Sequence, residues 1–320
     1  MSTDVACFGE LLWDLYEAEA KADKEPIART FRRELGGTSA NVAVTLARLG
    51  IKTSVVGAVG EDKLGTALEA QLSADGVDTS HVVRLSAPTG LTLVTLSTAN
   101  EPTFSPYRGA DLKLAETDVT AAMAKAKYVL VSTSSMLPST RAATEKFLAA
   151  AEKAKAVVVV DLNSRAHLWA DADALRAATV ELCARAALLK ASERDLAAVA
   201  GKRGMSWLDE HAKHASWVLT RGENGAAAVG EHGQATAPTK RVRAMDRSGA
   251  GDAFVAGVLA VLVKAGARPG TLEWKDTKVW SRALEVGHVL AAKAVATVGA
   301  TAGLTSLDDV KGRLLAPKKV

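Results

Sequence analysis

The chain has 320 residues, 48% hydrophobic but only 4% aromatic, which suffices for one large α/β unit or two smaller ones with a core mostly of Ala, Val and Leu. Its net charge of +4 comes from scattered Lys and Arg with no basic run and no interleaved aromatics, so nothing points to nucleic acid. No apolar run reaches the roughly 18 residues of a membrane span. Val5–Phe8 is too short and lacks the basic flank of a signal peptide, and Cys7 and Cys183 sit in apolar runs as small hydrophobes. The expectation is a soluble cytoplasmic protein.

In chain order, short β-rich runs alternate with longer helical patterns, which predicts a mostly parallel sheet covered by helices. Val5–Gly9 reads as the first strand. Thr38–Leu49 reads as a helix closed by Gly50, followed by a strand over Thr53–Val59 and a helix over Leu64–Ala74 ending near Gly76. Tyr128–Ser132 is a strand and Ser139–Lys153 a helix. Val157–Val160 is an uninterrupted β-branched run, the pattern of a strand buried on both faces. Ala172–Ala186, Glu193–Ala200 and Ser206–His211 are helical, and Trp217–Thr220 is another core strand. Short strands follow around Gly225–Val229 and Gln234–Ala237, then long helices over Ala253–Ala265 and Thr277–Val298.

Two segments, about 12–31 and 91–104, fall outside this rhythm. Leu91–Leu96 has strand character with alternating threonines on one face. Together the segments read as a small β lid inserted in one α/β unit spanning 1–320, with surface hairpins as the alternative.

The chemistry concentrates in Asp246-Arg247-Ser248-Gly249-Ala250-Gly251-Asp252-Ala253-Phe254. Its glycines permit close approach of a ligand to the backbone, and a helix start offers unpaired N–H groups and a positive dipole end to an anion. Asp252 then lies where that anion would be held. An acid beside a phosphate cradle repels the ligand it faces unless it must take a proton from an attacking hydroxyl, so the segment suggests phosphoryl transfer to an alcohol. A second glycine site, Leu35-Gly36-Gly37-Thr38-Ser39-Ala40-Asn41, could bring an amide to a polyol or could be an ordinary turn and N-cap.

Further polar groups fall at strand ends, where open α/β sheets bind ligands. These are Asp14, then Asn163 and Arg165, then Lys190, Ser192, Glu193 and Asp195. Each has a bland alternative, since Asp161 or Ser192 could merely cap a helix and Lys190 could be a solvated strand end. Thr220-Arg221-Gly222-Glu223-Asn224-Gly225 suits a nucleotide phosphate or ribose, and is also a common turn composition. There is no Gly-x-x-x-x-Gly-Lys-Ser/Thr loop, and no Gly-x-Gly-x-x-Gly follows the first strand. The six histidines show no metal-ligand spacing; His211 and His214 share a helix face without a further ligand.

Gly36-Gly37-Thr38-Ser39-Ala40-Asn41-Val42-Ala43 with Leu46-Ala47-Arg48-Leu49-Gly50, and the Asp246–Phe254 segment with Gly257, resemble the two signatures of the PfkB carbohydrate kinases, the ribokinase family. The likeness covers nearly the whole chain. It implies a ribokinase-like three-layer α/β fold with a β lid over the sugar, and ATP as phosphoryl donor with Mg2+. By the same likeness Asp252 is the base, and the amides of Gly249, Ala250 and Gly251 form the anion hole. Asp14, Gly36, Gly37 and Asn41 would hold sugar hydroxyls, and Thr220, Gly222 and Gly225, with Lys190, Ser192 and Gly251, would lie on the nucleotide side.

Asp161–Trp169 resembles the fructokinase and 2-keto-3-deoxygluconate kinase branch, and Phe104–Asp111 leans to fructokinase. Arg108, Asn163 and Arg165 join the sugar site on this reading, although the two arginines could equally hold a sugar-acid carboxylate. A nucleoside kinase of the same fold and a non-catalytic sugar or nucleotide sensor are the alternatives. Three positions depart from the family pattern. Arg247-Ser248 puts a cation beside the phosphate site. Ser192-Glu193-Arg194-Asp195 stands for the motif linked to Mg2+, with Asp195 in the acid's place. Thr301 follows Gly299-Ala300 in the late loop, which with Asp246 would serve activation by a monovalent cation such as K+. A homodimer through the lid is a further implication.

Overall fold

The computed structural model describes residues 3–18, 27–96 and 102–315, so parts of both expected lid segments, 19–26 and 97–101, lie outside the described residues. In chain order come β1 (Thr3–Phe8), β2 (Leu12–Glu17), β3 (Phe31–Gly36), α1 (Thr38–Arg48), β4 (Thr53–Gly60), α2 (Lys63–Ala74), β5 (Val82–Leu85), β6 (Gly90–Leu96) and β7 (Pro102–Tyr107). Next are β8 (Ala126–Ser132), α3 (Arg141–Lys153), β9 (Val157–Asp161), α4 (Ala172–Arg185), β10 (Leu188–Ser192), α5 (Glu193–Ala200), α6 (Met205–His211) and β11 (Ser216–Thr220). The last third holds β12 (Ala226–Gly230), β13 (Gly233–Ala237), α7 (Ala250–Ala265), α8 (Leu272–Lys275), α9 (Thr277–Ala294) and α10 (Asp308–Lys311).

Nine strands form one sheet in the order β13-β12-β11-β10-β9-β8-β1-β4-β5. It is parallel from β11 to β5, and β12 and β13 extend it as an antiparallel meander. The valine run of β9 explains why the sheet sits in the middle of three layers. Val157 and Val159 enter the core with α1, α7 and α9, while Val158 and Val160 enter the core with α3, α4 and α5. Successive side chains of a strand point to opposite faces, so an all-valine strand is stable only when covered on both.

The two segments outside the rhythm pair with each other as a four-stranded lid sheet, order β3-β2-β6-β7. β2 and β6 run parallel through Leu12↔Gly90 to Tyr16↔Val94, with β3 and β7 antiparallel on the outside. This replaces separate surface hairpins and moves the boundaries: the lid strands continue to Gly36 and Tyr107. The expected threonine face is corrected as well. Thr92 is buried on the same face as Val94, whereas Thr95, three positions on, lies on the other face, because sides alternate every residue.

Helix boundaries shift for local reasons. α7 begins at Ala250, not Ala253, because Gly249 (φ 70°) takes the left-handed turn that lets the helix start immediately. α9 stops at Ala294, four residues short of Val298. α3 starts at Arg141, two residues later than Ser139. His214 lies past the end of α6 at His211, so the two histidines do not share a helix. Cys7 and Cys183 are both buried free thiols. No helix among the described residues is long and apolar enough to cross a membrane.

α7 is buried on nearly all sides over its first three turns and crosses α9 at paired glycines. A Cβ on Gly257 would stand 2.8 Å from the Gly287 Cα, and one on Gly287 would stand 2.9 Å from the Phe254 ring. Glycine costs a helix roughly 1 kcal/mol relative to alanine, so propensity alone favours replacement. The backbone contact opposes it, because α9 cannot yield without moving a packed layer. Gly257→Ala is therefore expected to lower stability by about 1–3 kcal/mol, seen as a lower Tm. A Tm equal to or above that of the parent would show that the helices can part without loss.

Candidate active site

The site forms where α1 and α7 start beneath the lid. Gly37 (φ 92°) caps α1 in a conformation closed to most residues, and a Cβ there would stand 2.4 Å from the Glu10 carbonyl oxygen. That approach sets Asn41, one turn into α1, against Asp252, in the first turn of α7. The Asn41 Nδ2 donates to Asp252 Oδ2 at 2.8 Å, with both side chains buried. Gly249 is pressed against Ala300, where a Cβ would meet the Ala300 Cβ at 2.5 Å. The first amides of α7 have no partner within the helix, and a helix start of this kind is a dipole end suited to an anion.

A pocket opens over Asp252, lined by Glu10, Leu12, Asp14, Gly37, Asn41, Thr92, Phe104, Pro106, Arg108, Arg165, His167, Leu168, Ser248, Gly249 and Ala300. The lid supplies Leu12, Asp14, Thr92, Phe104 and Pro106; the α/β layers supply the remainder. Gly36 stays outside the lining but makes it possible, since a Cβ there would stand 2.5 Å from Asp14 Oδ1. Asn163 also acts from behind, donating through Nδ2 to the Thr38 hydroxyl at 2.6 Å. Asn163 (φ 27°) and Arg165 (φ 37°) both hold left-handed backbone without being glycine. Such strain persists only where surrounding contacts enforce it, and here it turns the Arg165 guanidinium toward the pocket, 5.7 Å from the Phe104 ring centroid.

Charges in the pocket are set by burial and by the two arginines. Burial pushes Asp14 up to about 7, against the pull of Arg165 and with the help of Glu10 and Asp252. Burial likewise raises Asp252, opposed by Arg165, the Asn41 amide and Lys190. Burial acts the same way on Glu10, but there Arg108 and Arg165, with Ser134 and the Thr38 amide, outweigh it and hold the carboxyl below its usual range. Arg108 is ion-paired to Asp111 through Nε and stands 3.9 Å from Glu10 through Nη2.

The other expected residues lie outside the pocket lining. Lys190 is buried in the middle of β10, its Nζ 3.0 Å from Asp161 Oδ1 and 2.9 Å from where a Gly251 Cβ would be. Ser192 is the N-cap of α5, as the bland reading allowed, and its register partner on β11 is Thr220. Gly222 and Gly225 form the turn after Thr220, closed by the Arg221 amide donating to the Gly225 carbonyl. Asp195 accepts from the amides and hydroxyls of both Ser164 and Ser192. Asp246 accepts from the amides of Ser248 and Gly299, tying the loop before α7 to the loop after α9. Arg247 is exposed.

Sequence reasoning gave no role to Glu10 or to Thr38 as a hydrogen-bond acceptor, and did not foresee that Asp111 pairs with Arg108 or that Ala300 meets Gly249. Glu10 carried a usable signal, a carboxylate at the end of the first strand directly after Gly9. The contact of Ala300 carried none, since it meets Gly249 across 51 positions of chain.

The family model for pfkB family carbohydrate kinases matches residues 2–307. Fructokinase-1 of Oryza sativa subsp. japonica is 29% identical over 318 residues, covering 96% of each chain. A Klebsiella pneumoniae fructokinase is 34% identical over 239 residues, 72% of this chain and 78% of its own. The crystal structure of Xylella fastidiosa fructokinase with bound ATP superposes with a TM-score of 0.85 at 28% identity, covering 98% of both chains. With its ribokinase-like sheet, lid and both glycine turns accounted for, the chain belongs to the PfkB family and is an ATP-dependent carbohydrate kinase.

Proposed function

We propose that this kinase phosphorylates a hydroxyl of fructose, with Asp252 as the general base. The observation that carries the reading is the placement of a buried carboxylate, oriented by Asn41, in the first turn of a buried helix at the floor of the lid-covered pocket. Asn41 occupies one carboxylate oxygen, which leaves the other for the substrate proton. As the sugar oxygen bonds to the γ-phosphorus, its proton passes to Asp252, the bond to the β–γ bridging oxygen breaks and ADP leaves. The amides of Gly249, Ala250 and Gly251 face the charge that builds on the transferring group. Gly251 keeps the space into which Lys190 brings its ammonium. Thr220, Gly222 and Gly225, at the end of the strand beside Lys190 and Ser192, lie where the nucleotide would reach. Fructose is the sugar favoured by relatives named fructokinases and by Arg108, whose charge is already met by Asp111 and Glu10.

Magnesium would neutralise the phosphate charge. Among the described residues no group of three or more His, Cys, Asp or Glu side chains could hold a metal ion. Asp195, its carboxylate taken by four donors, fits a brace between β10 and the 161–165 turn and not a direct ligand. Asp246 likewise braces two loops, and no step is assigned to K+ there. A homodimer would form through β3 or β7, the edges of the lid sheet. A cytoplasmic location agrees with the function.

Asp252→Asn should keep the fold and nucleotide binding while lowering kcat with fructose by about 100-fold or more. A coupled assay of ADP production across fructose, ribose, adenosine and 2-keto-3-deoxygluconate checks this, and near-parental turnover would remove Asp252 from the role. The raised position of Asp252 also sets the pH profile: kcat/KM is lost as pH falls through a point above the ordinary carboxylate range of about 4. An acid limb at or below that range contradicts the burial argument.

Asp14 makes a separate test. Its folded-state value of about 7 lies above that of the unfolded chain, so its ionisation penalises folding above that pH, and the penalty fades as pH falls toward about 4. Asp14→Asn should therefore raise Tm at pH 8, by at least about 1 kcal/mol of stability, while weakening fructose binding about 10-fold. The Tm gain should shrink at pH 5; a gain independent of pH would refute it.

A further inference from the structure

Five buried polar atoms of residues lining the pocket find no hydrogen-bond partner in the protein: Glu10 Oε1, Asn41 Oδ1, Arg108 Nη2, Arg165 Nε and Ser248 Oγ. Two are acceptors, two are donors and the hydroxyl can act as either. A buried polar group left unpaired costs about 1–3 kcal/mol, so a set of five in one pocket describes the ligand that would relieve them. Glu10 and Arg108 are the informative pair, because Glu10 Oε1 and Arg108 Nη2 face each other at 3.9 Å with side chains 6% and 10% exposed. That separation exceeds a hydrogen bond, yet each atom can reach one oxygen placed between them. A hydroxyl there accepts from Arg108 and donates to Glu10. A carboxylate or phosphate oxygen can accept from Arg108 but has no proton for Glu10, and its charge would face a second buried carboxylate.

We infer that Glu10 is a specificity-determining residue, which with Arg108 reads one hydroxyl of the sugar away from the phosphorylated position and so selects an uncharged ketose over a sugar acid or sugar phosphate. The inference rests on the sugar-kinase reading and narrows its substrate class. The same two arginines that a sequence would assign to a carboxylate are here matched by carboxylates of the protein: Asp111 and Glu10 on Arg108, with Glu10, Asp14 and Asp252 all near Arg165. The acceptor Asn41 Oδ1 repeats the demand for a donating hydroxyl closer to Asp252.

The test is steady-state kinetics with ATP on fructose, 2-keto-3-deoxygluconate and fructose 6-phosphate, for the parent and for Glu10→Gln. In the parent, kcat/KM for fructose should exceed that for either anion by about 100-fold or more, and Glu10→Gln should raise KM for fructose about 10- to 100-fold with a much smaller change in kcat. The preference for fructose over the sugar acid should narrow by about 10-fold in the same variant. A parent that favours an anionic sugar overturns the inference while leaving the kinase reading intact. So does a variant that loses only thermal stability and keeps KM and preference, the result expected if Glu10 and Arg108 merely share a buried water. ADP production with no sugar at all overturns both. Because Glu10→Gln could fail to fold, binding of monodeoxy fructoses to the parent gives a second reading. One analogue lacking a hydroxyl other than the acceptor should bind about 10-fold more weakly than fructose, and equal binding of the whole set overturns the inference.

Discussion

The hydrogen bond from the Asn41 amide to the Asp252 carboxylate joins the starts of two helices, and the rest of the site is arranged around keeping those starts in place. Each helix begins at a glycine with positive φ, and each glycine touches backbone that no larger residue would tolerate: Gly37 against Glu10, Gly249 against Ala300. Behind them, α7 is locked to α9 at Gly257 and Gly287. The position of the Asp252 carboxylate is thus set by close backbone contacts, which transmit position better than flexible side chains do.

Around that fixed point the protein concentrates charge that it could lower by dispersing. Glu10, Asp14 and Asp252 share one pocket with Arg108 and Arg165, and Lys190 with Asp161 lies outside its lining. Buried charges are costly unless paired. Some groups here are paired, such as Arg108 Nε with Asp111, and some polar atoms, Arg108 Nη2 among them, are left unpaired at the pocket. The first kind sets geometry. Asp195 and Asp246 belong to the first, since their carboxylates are used up in joining one segment of the protein to another.

The lid shows how far pattern reading reaches. Both segments were recognisable because they broke the β-helix alternation, yet their pairing was not, because β2 and β6 meet across more than seventy positions of chain. The start of α7 was displaced for the opposite reason: periodicity detects the apolar stripe of a helix, and the first turn, Ala250-Gly251-Asp252, has none to detect. Thr92 and Thr95 were assigned to one face by composition, although a period of two separates residues three apart.

The amino-acid sequence alone determined the layered α/β class, the two glycine turns and Asp252 as the group at a helix start, because each rests on residues adjacent in the chain. Asn163, Arg165, Lys190 and Thr220 were legible one by one as strand-end polar groups, for the same local reason. Only the tertiary structure decided which of them line the lid-covered pocket, that Glu10 and Arg108 confront each other, and that the carboxylates of Asp195 and Asp246 join separate segments. Those outcomes depend on distances between segments far apart in sequence, and on which buried polar atoms the fold satisfies from within.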